Sequence, residues 1–321
     1  MWRIARRVLA AWVCLALPAV AADYPDHPVR MIVPFTPAGA TDLLARLVGE
    51  RLAEKLGQAV IIDNRPGAGA NLGAGLAARA RPDGYTLLMG PASVYAISAT
   101  LYSKLDYDLV KDLVPVSLVA NVPHVLLVNV DLPVKSLPEL IELAKRKPGA
   151  LNIASQGSGT VSHLEAELLG HMAAIAMVHV PYRGSAPALI DLMGAHTQVM
   201  FDSIASALPH IRAGKLRAIA VASKRRSTLL PDVPTVDESG LKGYSANSWL
   251  GIFVPAGTPK AIVERLQRDL SASVDEPNSR ARLLEAGFEP QSSTAAAFAK
   301  LVRDEIDKWR PIVKMSGATA D

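Results

Sequence analysis

Residues 33–42, which read VPFTPAGATD, decide the fold, because they join an apolar strand-like run to an amphipathic helix pattern through a glycine-bearing turn. Residues 154–164, which read ASQGSGTVSHL, repeat this design farther along the chain. A strand that ends at a helix N-terminus directs free backbone N–H groups and the positive end of the helix dipole towards one point, which suits an anion. Two such turns predict a carboxylate held between two lobes.

Strand-like runs alternate with helix patterns around these two turns. Apolar runs of strand length lie at residues 29–33, 60–63, 86–89, 125–130, 151–154, 177–180, 199–201 and 216–222. A helix pattern covers residues 42–56, and further helices begin after Ser136, which forms a capping box with Glu139, and after Thr258. This alternation predicts an α/β fold with mainly parallel sheets flanked by helices.

The first residues of the chain predict export. Residues 1–7 carry three arginines, residues 8–17 are apolar, and residues 19–22 supply the small side chains that a signal peptidase recognises. The apolar run is about half the length that a bilayer-spanning helix needs, so we predict a cleaved signal peptide over residues 1–22. Cys14, the only cysteine, lies within this segment. The mature chain is therefore expected to contain no disulfide and no thiol nucleophile.

The charge balance argues against nucleic acid as a partner. The chain has 34 Lys and Arg against 30 Asp and Glu, and subtracting the three arginines of the signal peptide leaves 31 against 30. Aromatic residues make up 5% of the chain, which leaves few side chains for base stacking. A mature length of about 300 residues is typical of two domains. We expect a discontinuous division, with residues 23–124 and 240–321 in one lobe and residues 125–239 in the other.

Several short motifs, which span nearly the whole mature chain, carry a family resemblance. They are YP at 24–25, PAGATD at 37–42, NRPGAG at 64–69, PDGYTL at 82–87, GSGTVSHL at 157–164, VPYRG at 180–184, FD at 201–202, LPDVPT at 230–235 and VPAGTP at 254–259. In these motifs the sequence resembles the tripartite tricarboxylate transporter substrate-binding proteins, also called the Bug family of periplasmic receptors. It departs from the family in the first turn, where Ala38 precedes Gly39 and the family often has two adjacent glycines.

The resemblance implies a two-lobed periplasmic-binding-protein fold, the Venus flytrap, that closes on a small organic carboxylate. It implies a periplasmic receptor that delivers this solute to membrane transporter subunits, performs no chemistry and needs no cofactor or metal, and we expect a monomer. In the family, backbone amides and bridging waters of the two turns hold the carboxylate. Carried over to this sequence, the ligand-binding positions are Thr36, Gly39, Thr41 and Asp42 in the first turn, and Gly157, Ser158, Gly159, Thr160 and Ser162 in the second.

Other residues at strand and helix ends are candidate ligand contacts with structural alternatives. These candidates are Asn71, Tyr182, Arg183, Gly184, Asp202 and Ser203. Asn71 either faces the cleft or stabilises a turn. Arg183, in a third strand-to-helix turn with Ser185 as the expected N-cap, pairs either with a second ligand carboxylate or with a surface acid. Asp202 either binds a ligand hydroxyl or amine or caps a helix, and Asp42 is expected to accept backbone N–H bonds rather than to contact an anion.

Two patterns typical of other binding functions fail on spacing. Residues 67–73, GAGANLG, resemble a dinucleotide fingerprint, but the last spacing is one residue too long. The histidines and glutamates that follow the second turn do not have the H-E-x-x-H order of a zinc site; they are His163, Glu165, Glu167 and His171.

An enzyme is the alternative to a receptor. A secreted hydrolase or lyase acting on a small carboxylate would use Ser158, Ser162 and His163. Such a mechanism needs a base within hydrogen-bond reach of its nucleophile. Ser162 and His163 are consecutive, so on a helix they point to different sides, and the sequence favours the receptor.

Overall fold

The strands of the chain form two separate sheets. The computed structural model describes residues 24–102, 104–246 and 248–316, and the predicted signal peptide lies outside the described residues. In chain order the strands are β1 (Val29–Val33), β2 (Val60–Asn64), β3 (Thr86–Pro91), β4 (Leu113–Val122), β5 (His124–Asn129), β6 (Asn152–Ser155), β7 (Val178–Pro181), β8 (Val199–Ser203), β9 (Leu216–Val221), β10 (Ser248–Pro255) and β11 (Glu289–Pro290).

Helices connect and flank these strands. They are α1 (Ala40–Leu56), α2 (Asn71–Ala78), α3 (Ser98–Leu101), α4 (Leu137–Arg146), α5 (Val161–Ala173), α6 (Ser185–Met193), α7 (Ile204–Arg212), α8 (Lys260–Asp275), α9 (Pro277–Glu285) and α10 (Ala295–Ser316). A 3-10 turn covers Ala68–Ala70 and a π-helical turn covers Ser93–Ile97. The sequence predicted β1, β2, β3 and β5 to β9 to within two residues at each end, and it predicted the helix that follows each glycine-bearing turn.

The six-stranded sheet has the order β11-β4-β10-β3-β1-β2, and the five-stranded sheet has the order β7-β6-β8-β5-β9. Lobe 1 here denotes the elements of the first sheet with their helices, and lobe 2 those of the second. The chain passes from lobe 1 to lobe 2 between β4 and β5 and returns between β9 and β10.

The predicted α/β fold class is confirmed, but the prediction of mainly parallel sheets is wrong. β1 pairs in parallel with β2 and β3, whereas β10 runs antiparallel to β3 and β4. In the second sheet β6 is parallel to β7 and β8, whereas β5 is antiparallel to β8 and β9. The physical reason is the crossing between lobes. β10 and β5, the strands that follow each crossing, start at the edge where the strands of the βα units end and therefore run against them.

Alternation along the buried strands places apolar side chains on both faces of the first sheet. Met31 packs in a core cluster with Leu44 of α1, whereas its neighbour Ile32 packs on the other face with Ala74 of α2. Among residues 24–102, 104–246 and 248–316, no helix is long and apolar enough to cross a bilayer.

Local signals set the ends of several helices. α1 ends at Gly57, which has φ +69° and donates its N–H to the Ala53 carbonyl, so glycine supplies the left-handed residue that stops this helix. The Ser136 side chain accepts the Glu139 N–H at the start of α4, as predicted. The return bond of the predicted capping box lies one residue earlier, since the Glu139 carboxylate accepts the Lys135 N–H at 2.7 Å.

Candidate functional site

A cavity lies between the two lobes, at the edge where strand ends meet helix starts. It offers about 20 Å³ to the centre of a water molecule, which is room for roughly one water. The lobes are therefore close together around it. We call it the interlobe cavity, and its lining residues are Phe35, Gly39, Ala40, Thr41, Pro91, Ser93, Val122, Ser248 and Leu250 from lobe 1, and His124, Gln156, Val161, Ser185 and Ser203 from lobe 2.

Helix N-termini converge on this cavity from both lobes. Parallel strands end at the same edge of a sheet, so β6, β7 and β8 bring the starts of α5, α6 and α7 together. The first residue of α5, Val161, the first residue of α6, Ser185, and the N-cap of α7, Ser203, all line the cavity. α1 approaches from lobe 1 with Gly39 and Thr41 in the lining. The first turns of α1, α5 and α6 present N–H groups and positive dipole ends to this volume. α7 contributes its dipole end, since its first N–H, at Ile204, donates to the Pro123 carbonyl at 2.9 Å.

Asp42 stabilises the first turn through hydrogen bonds. The Asp42 carboxylate accepts the Ala38 N–H at 3.0 Å, the Asn64 amide at 3.0 Å and the Arg46 guanidinium at 2.9 Å. Burial alone would raise the pKa of Asp42, but these donors outweigh burial and hold it below its ordinary value. Asp42 therefore accepts a backbone N–H bond, as expected, and it lies outside the cavity lining.

The backbone freedom in the first turn is needed at Ala38 rather than at Gly39. Ala38 has φ +66°, in the left-handed region that favours glycine, whereas Gly39 is extended, with φ −86° and ψ 170°. The departure from the family pattern thus falls on the strained position. Gly39 is instead the N-cap of α1, where the absence of a side chain leaves the backbone open to the cavity.

The second turn folds inward on itself. The Thr160 hydroxyl donates to the Gly157 carbonyl at 2.7 Å, and the Ser162 hydroxyl accepts the Gln156 N–H at 3.0 Å. A Cβ at Gly159 would overlap Leu101 of lobe 1, so this glycine packs against the other lobe. The residues on either side of the turn, Gln156 and Val161, are the ones that line the cavity.

The third turn joins β7 to α6 and also meets lobe 1. Gly184, with φ +134°, is the N-cap of α6 and Ser185 is its first residue, which corrects the prediction of Ser185 as the N-cap. Burial together with the Asp191 carboxylate raises the pKa of Tyr182 to about 12, and its hydroxyl donates to Asp191 at 2.6 Å, away from the cavity. Arg183 is exposed and forms no ion pair with any residue that the structure describes.

Asp202 supports the cavity wall from within lobe 2. It is fully buried, and its Oδ1 accepts the Ser185 hydroxyl and the Ser203 N–H, both at 2.8 Å, and the Gln156 amide. Its Oδ2 has no partner among the described residues, and burial raises the pKa of Asp202. The N-cap of α7 is Ser203 rather than Asp202, the expected cap, since the Ser203 hydroxyl accepts the Ser206 N–H at the start of this helix.

Asn71 serves the turn rather than the cavity. Its amide donates to the Ala68 carbonyl at 2.9 Å and to the Ser98 hydroxyl at 3.0 Å, and its oxygen accepts the Tyr107 hydroxyl at 2.8 Å. These bonds favour the structural alternative for Asn71 and connect α2, α3 and the following loop.

The cavity thus combines a few of the predicted residues with others that sequence reasoning missed. Gly39, Thr41 and Ser203 line it, and the remaining predicted residues lie outside its lining: Thr36, Asp42, Asn71, Gly157, Ser158, Gly159, Thr160, Ser162, Tyr182, Arg183, Gly184 and Asp202. Gln156 has no distinctive sequence signal, because it lies between Ser155 and Gly157 in a turn where glycine and hydroxyl residues are the obvious candidates. The clearest omission is His124, a histidine at the start of an otherwise apolar strand run, which is itself a recognisable signal.

The contact that the enzyme alternative needs, between His163 and the hydroxyl of Ser158 or Ser162, is not formed among the residues that the structure describes. His163 Nδ1 accepts the Gly159 N–H at 3.1 Å, and its Nε2 lies 3.6 Å from the Glu167 carboxylate. The Ser162 hydroxyl instead pairs with Thr160 at 3.0 Å. Within the described ranges no group of three or more His, Cys, Asp or Glu side chains is arranged to hold a metal ion.

Comparisons with known proteins agree on one family. A sequence profile described as "Tripartite tricarboxylate transporter family receptor" matches residues 44–318. Protein BugT of Bordetella pertussis is 37% identical over 305 residues, which cover 95% of this chain and 94% of that protein. The solved structure of R. palustris Rpa4515 with adipate has a TM-score of 0.90 at 35% identity, over 92% of this chain and 99% of that one. MatC from Rhodopseudomonas palustris with bound malate has a TM-score of 0.85 at 35% identity, over 90% of this chain and 100% of that one.

Proposed function

Because the chain belongs to the tripartite tricarboxylate transporter family receptors, we propose that it captures a small organic carboxylate between its lobes in the periplasm and delivers it to a membrane transporter. The observation that carries this proposal is the convergence of the starts of α1, α5, α6 and α7 on the interlobe cavity. Unpaired backbone N–H groups and dipole ends bind an anion without a full positive charge. A near-neutral mature chain is consistent with such a site.

The structural neighbours suggest dicarboxylates as first probes. Adipate is bound to the Rpa4515 protein and malate to MatC, and both proteins share the fold over most of their length. These two acids differ in chain length and in the presence of a hydroxyl. Testing both asks how much of the cavity's selectivity depends on size and how much on hydrogen bonding.

We also propose the residues and boundaries of the site. The two lobes follow the predicted division into residues 23–124 with 240–321 and residues 125–239, moved by one residue so that His124, the first residue of β5, belongs to lobe 2. The ligand-contacting groups are the free N–H groups at Gly39 to Thr41, the start of α6 at Ser185, and the hydroxyl of Ser203, supported by their position in the cavity lining. The inward-folded second turn acts by shaping the start of α5.

We propose a receptor role without chemistry, acting as a monomer that docks on transporter subunits. The absence of a contact between His163 and a serine hydroxyl in the described chain supports the receptor role without chemistry.

Export through a cleaved signal peptide is supported by the predicted segment at residues 1–22, which lies outside the described residues. N-terminal sequencing of the periplasmic protein should give a start near Ala22 or Asp23, and a membrane-bound chain that begins at Met1 would contradict it.

A thermal-shift panel tests the binding function. Purified mature protein is melted with adipate, malate, other small carboxylates and the matched primary amides. A ligand that binds only the folded state stabilises it by mass action, so a saturable rise in melting temperature is expected with at least one acid and not with its amide. A full panel of carboxylates without a saturable rise would contradict the proposal. Disappearance of the acid with formation of a product would favour the enzyme alternative.

A further inference from the structure

His124 occupies a position that the antiparallel pairing of β5 with β8 creates. β5 runs antiparallel to β8, so its first residue, His124, lies opposite Ser203 at the edge where the helix N-termini converge. Its side chain lines the interlobe cavity and is only 2% exposed. The imidazole is therefore almost shielded from bulk water, and the space that its side chain faces is the cavity.

Glu165 fixes which nitrogen faces the cavity. His124 Nδ1 lies 2.7 Å from the Glu165 Oε2, and the glutamate is fully buried on α5. When Glu165 is ionised its carboxylate only accepts, so Nδ1 then carries a proton and donates it. Nε2 makes no hydrogen bond to any residue that the structure describes. In the neutral imidazole Nε2 accepts a hydrogen bond, whereas in the protonated ring it donates one, so the protonation state decides what the ring can bind.

The charges around His124 favour the protonated ring. Burial alone would lower its pKa, but the attraction and hydrogen bond of Glu165 and the nearby Asp202 carboxyl outweigh burial and raise it. Burial also raises the pKa of Glu165; the Asp202 carboxyl adds to this effect, whereas the attraction of His124 and of Lys308 on α10 opposes it. A protonated His124 beside an ionised Glu165 forms a neutral pair, and only the imidazolium has a donor free to point into the cavity.

We propose that His124 is the lobe 2 residue that recognises the carboxylate, through its Nε2–H, and that binding takes up one proton at this ring. This inference rests on the proposed carboxylate-receptor function and deepens it. The backbone N–H groups at the starts of α1 and α6 and the Ser203 hydroxyl supply neutral donors, whereas His124 supplies a charge-assisted one. It follows that the receptor prefers carboxylates to neutral analogues and that the preference weakens as pH rises.

The proton balance gives a signature that a structural histidine lacks. Below the pKa of the free receptor's His124 the ring already carries its proton, and a carboxylate binds without uptake. Above that pKa each bound carboxylate draws a proton from solvent, and affinity falls by at most about tenfold per pH unit. A histidine that serves only as a partner for Glu165 would keep the same protonation state in free and bound receptor.

Titration calorimetry on the wild-type protein measures this uptake directly. Adipate and malate are titrated at a series of pH values from about 6 to about 10, each in two buffers of different ionisation enthalpy. For the probe that binds, proton uptake should be smallest at the lowest pH and should rise towards one as pH passes through the pKa of His124 in the free receptor. Zero uptake at every pH would overturn the inference. Wild-type protein that bound neither these acids nor any other carboxylate in the panel would instead contradict the receptor proposal on which the inference depends.

A double variant and a control variant test whether the proton is taken up at His124. The single change His124→Gln leaves Glu165 buried without its partner, so the double variant His124→Gln/Glu165→Gln, which removes both charges together, is the informative one. It should bind about ten- to a hundredfold more weakly at about pH 6 and should show no pH-dependent uptake. His171→Gln, an exposed histidine on the same helix as Glu165, is the matched control and should behave as wild type. A folded double variant with wild-type affinity and uptake would overturn the inference.

Discussion

A Cβ at Gly69 of lobe 1 would stand 2.5 Å from the backbone carbonyl oxygen of Ser158 in lobe 2. Only backbone fits at this point, since the obstructing atom cannot rotate away. Gly69 lies in the 3-10 turn before α2, and Ser158 lies in the second glycine turn, so the contact joins the two lobes beside the interlobe cavity. Its closeness makes Gly69 a position where a single methyl group opposes lobe closure.

We therefore expect Gly69→Ala to weaken ligand binding more than it weakens the fold. Overpacking of this kind costs about 1–3 kcal/mol, which corresponds to roughly five- to a hundredfold in affinity, because the clash exists only when the lobes are closed. Calorimetry with the carboxylate found in the thermal-shift panel measures the affinity, and thermal melting without ligand measures the fold.

The control for this variant is Gly149→Ala. Gly149 also has a left-handed backbone, with φ +72° against +58° at Gly69, but nothing lies within 4 Å of an added Cβ. Backbone strain should lower the melting temperature of both variants by a similar amount. Equal affinities for the two would show that the contact between Gly69 and Ser158 does not limit closure.

Ala38→Gly should stabilise the free protein by about 0.5–1 kcal/mol. Ala38 holds φ +66°, which costs an alanine about 1–2 kcal/mol, and part of the gain is offset by the greater freedom of glycine in the unfolded chain. Its N–H keeps the bond to Asp42, so the turn retains its shape. Urea denaturation measures the change in the free energy of unfolding. Ala53→Gly inside α1 is the control and should destabilise by about 1 kcal/mol, and the same sign for both variants would contradict the argument.

How far the sequence predicted the fold depends on how local each signal is. The apolar run of β1, the glycine turn and the stop of α1 at Gly57 lie within one short stretch, and the prediction of this unit is confirmed. β4 and β10 gave no clear signal, since their pairing joins residues more than a hundred positions apart. The predicted lobe boundary between residues 124 and 125 falls one residue inside β5, which begins at His124.

The position of His124 shows why part of the candidate site stayed hidden. In a parallel sheet the start of a strand lies at the edge opposite to the strand ends, which would place His124 far from the helix N-termini. Antiparallel pairing with β8 brings it opposite Ser203 instead. Strand direction is a long-range property, so the composition of residues 124–129 alone could not reveal it. For Gly157 and Gly159 of the second turn the spacing is visible in the sequence but the orientation is not, and both lie outside the lining of the interlobe cavity.

Asp42→Asn should make the fold less sensitive to acid. The pKa of Asp42 is held below its ordinary value in the folded protein, so its stabilising effect is fully present above the unfolded value of about 3.9 and is lost as pH falls through the lower folded value. At neutral pH the variant should lose about 1–3 kcal/mol of unfolding free energy, through weaker bonds to Arg46 and Ala38.

Urea denaturation at a series of pH values checks this expectation. The difference between wild type and Asp42→Asn should shrink towards zero as pH falls below about 3.9. Asp131→Asn is the control, because that carboxylate is exposed and makes no hydrogen bond to the described residues. A constant difference across the whole pH range would show that packing, rather than charge, accounts for the loss.

The last expectation concerns how the ligand's charge is held. Charge-assisted bonds to a carboxylate are stronger than bonds to an amide, so replacing adipate by adipamide should cost about 2–4 kcal/mol, or roughly thirtyfold to a thousandfold in affinity. Salt should matter little, because a nearly closed interlobe cavity is poorly screened and the predicted mature chain has 31 basic residues against 30 acidic ones. Calorimetry with both compounds at low and high sodium chloride separates these effects, with malate and its diamide as a second pair. Equal affinity for acid and amide would show that the cavity is not an anion site. A steep loss of affinity with salt would show that exposed surface charges bind the ligand.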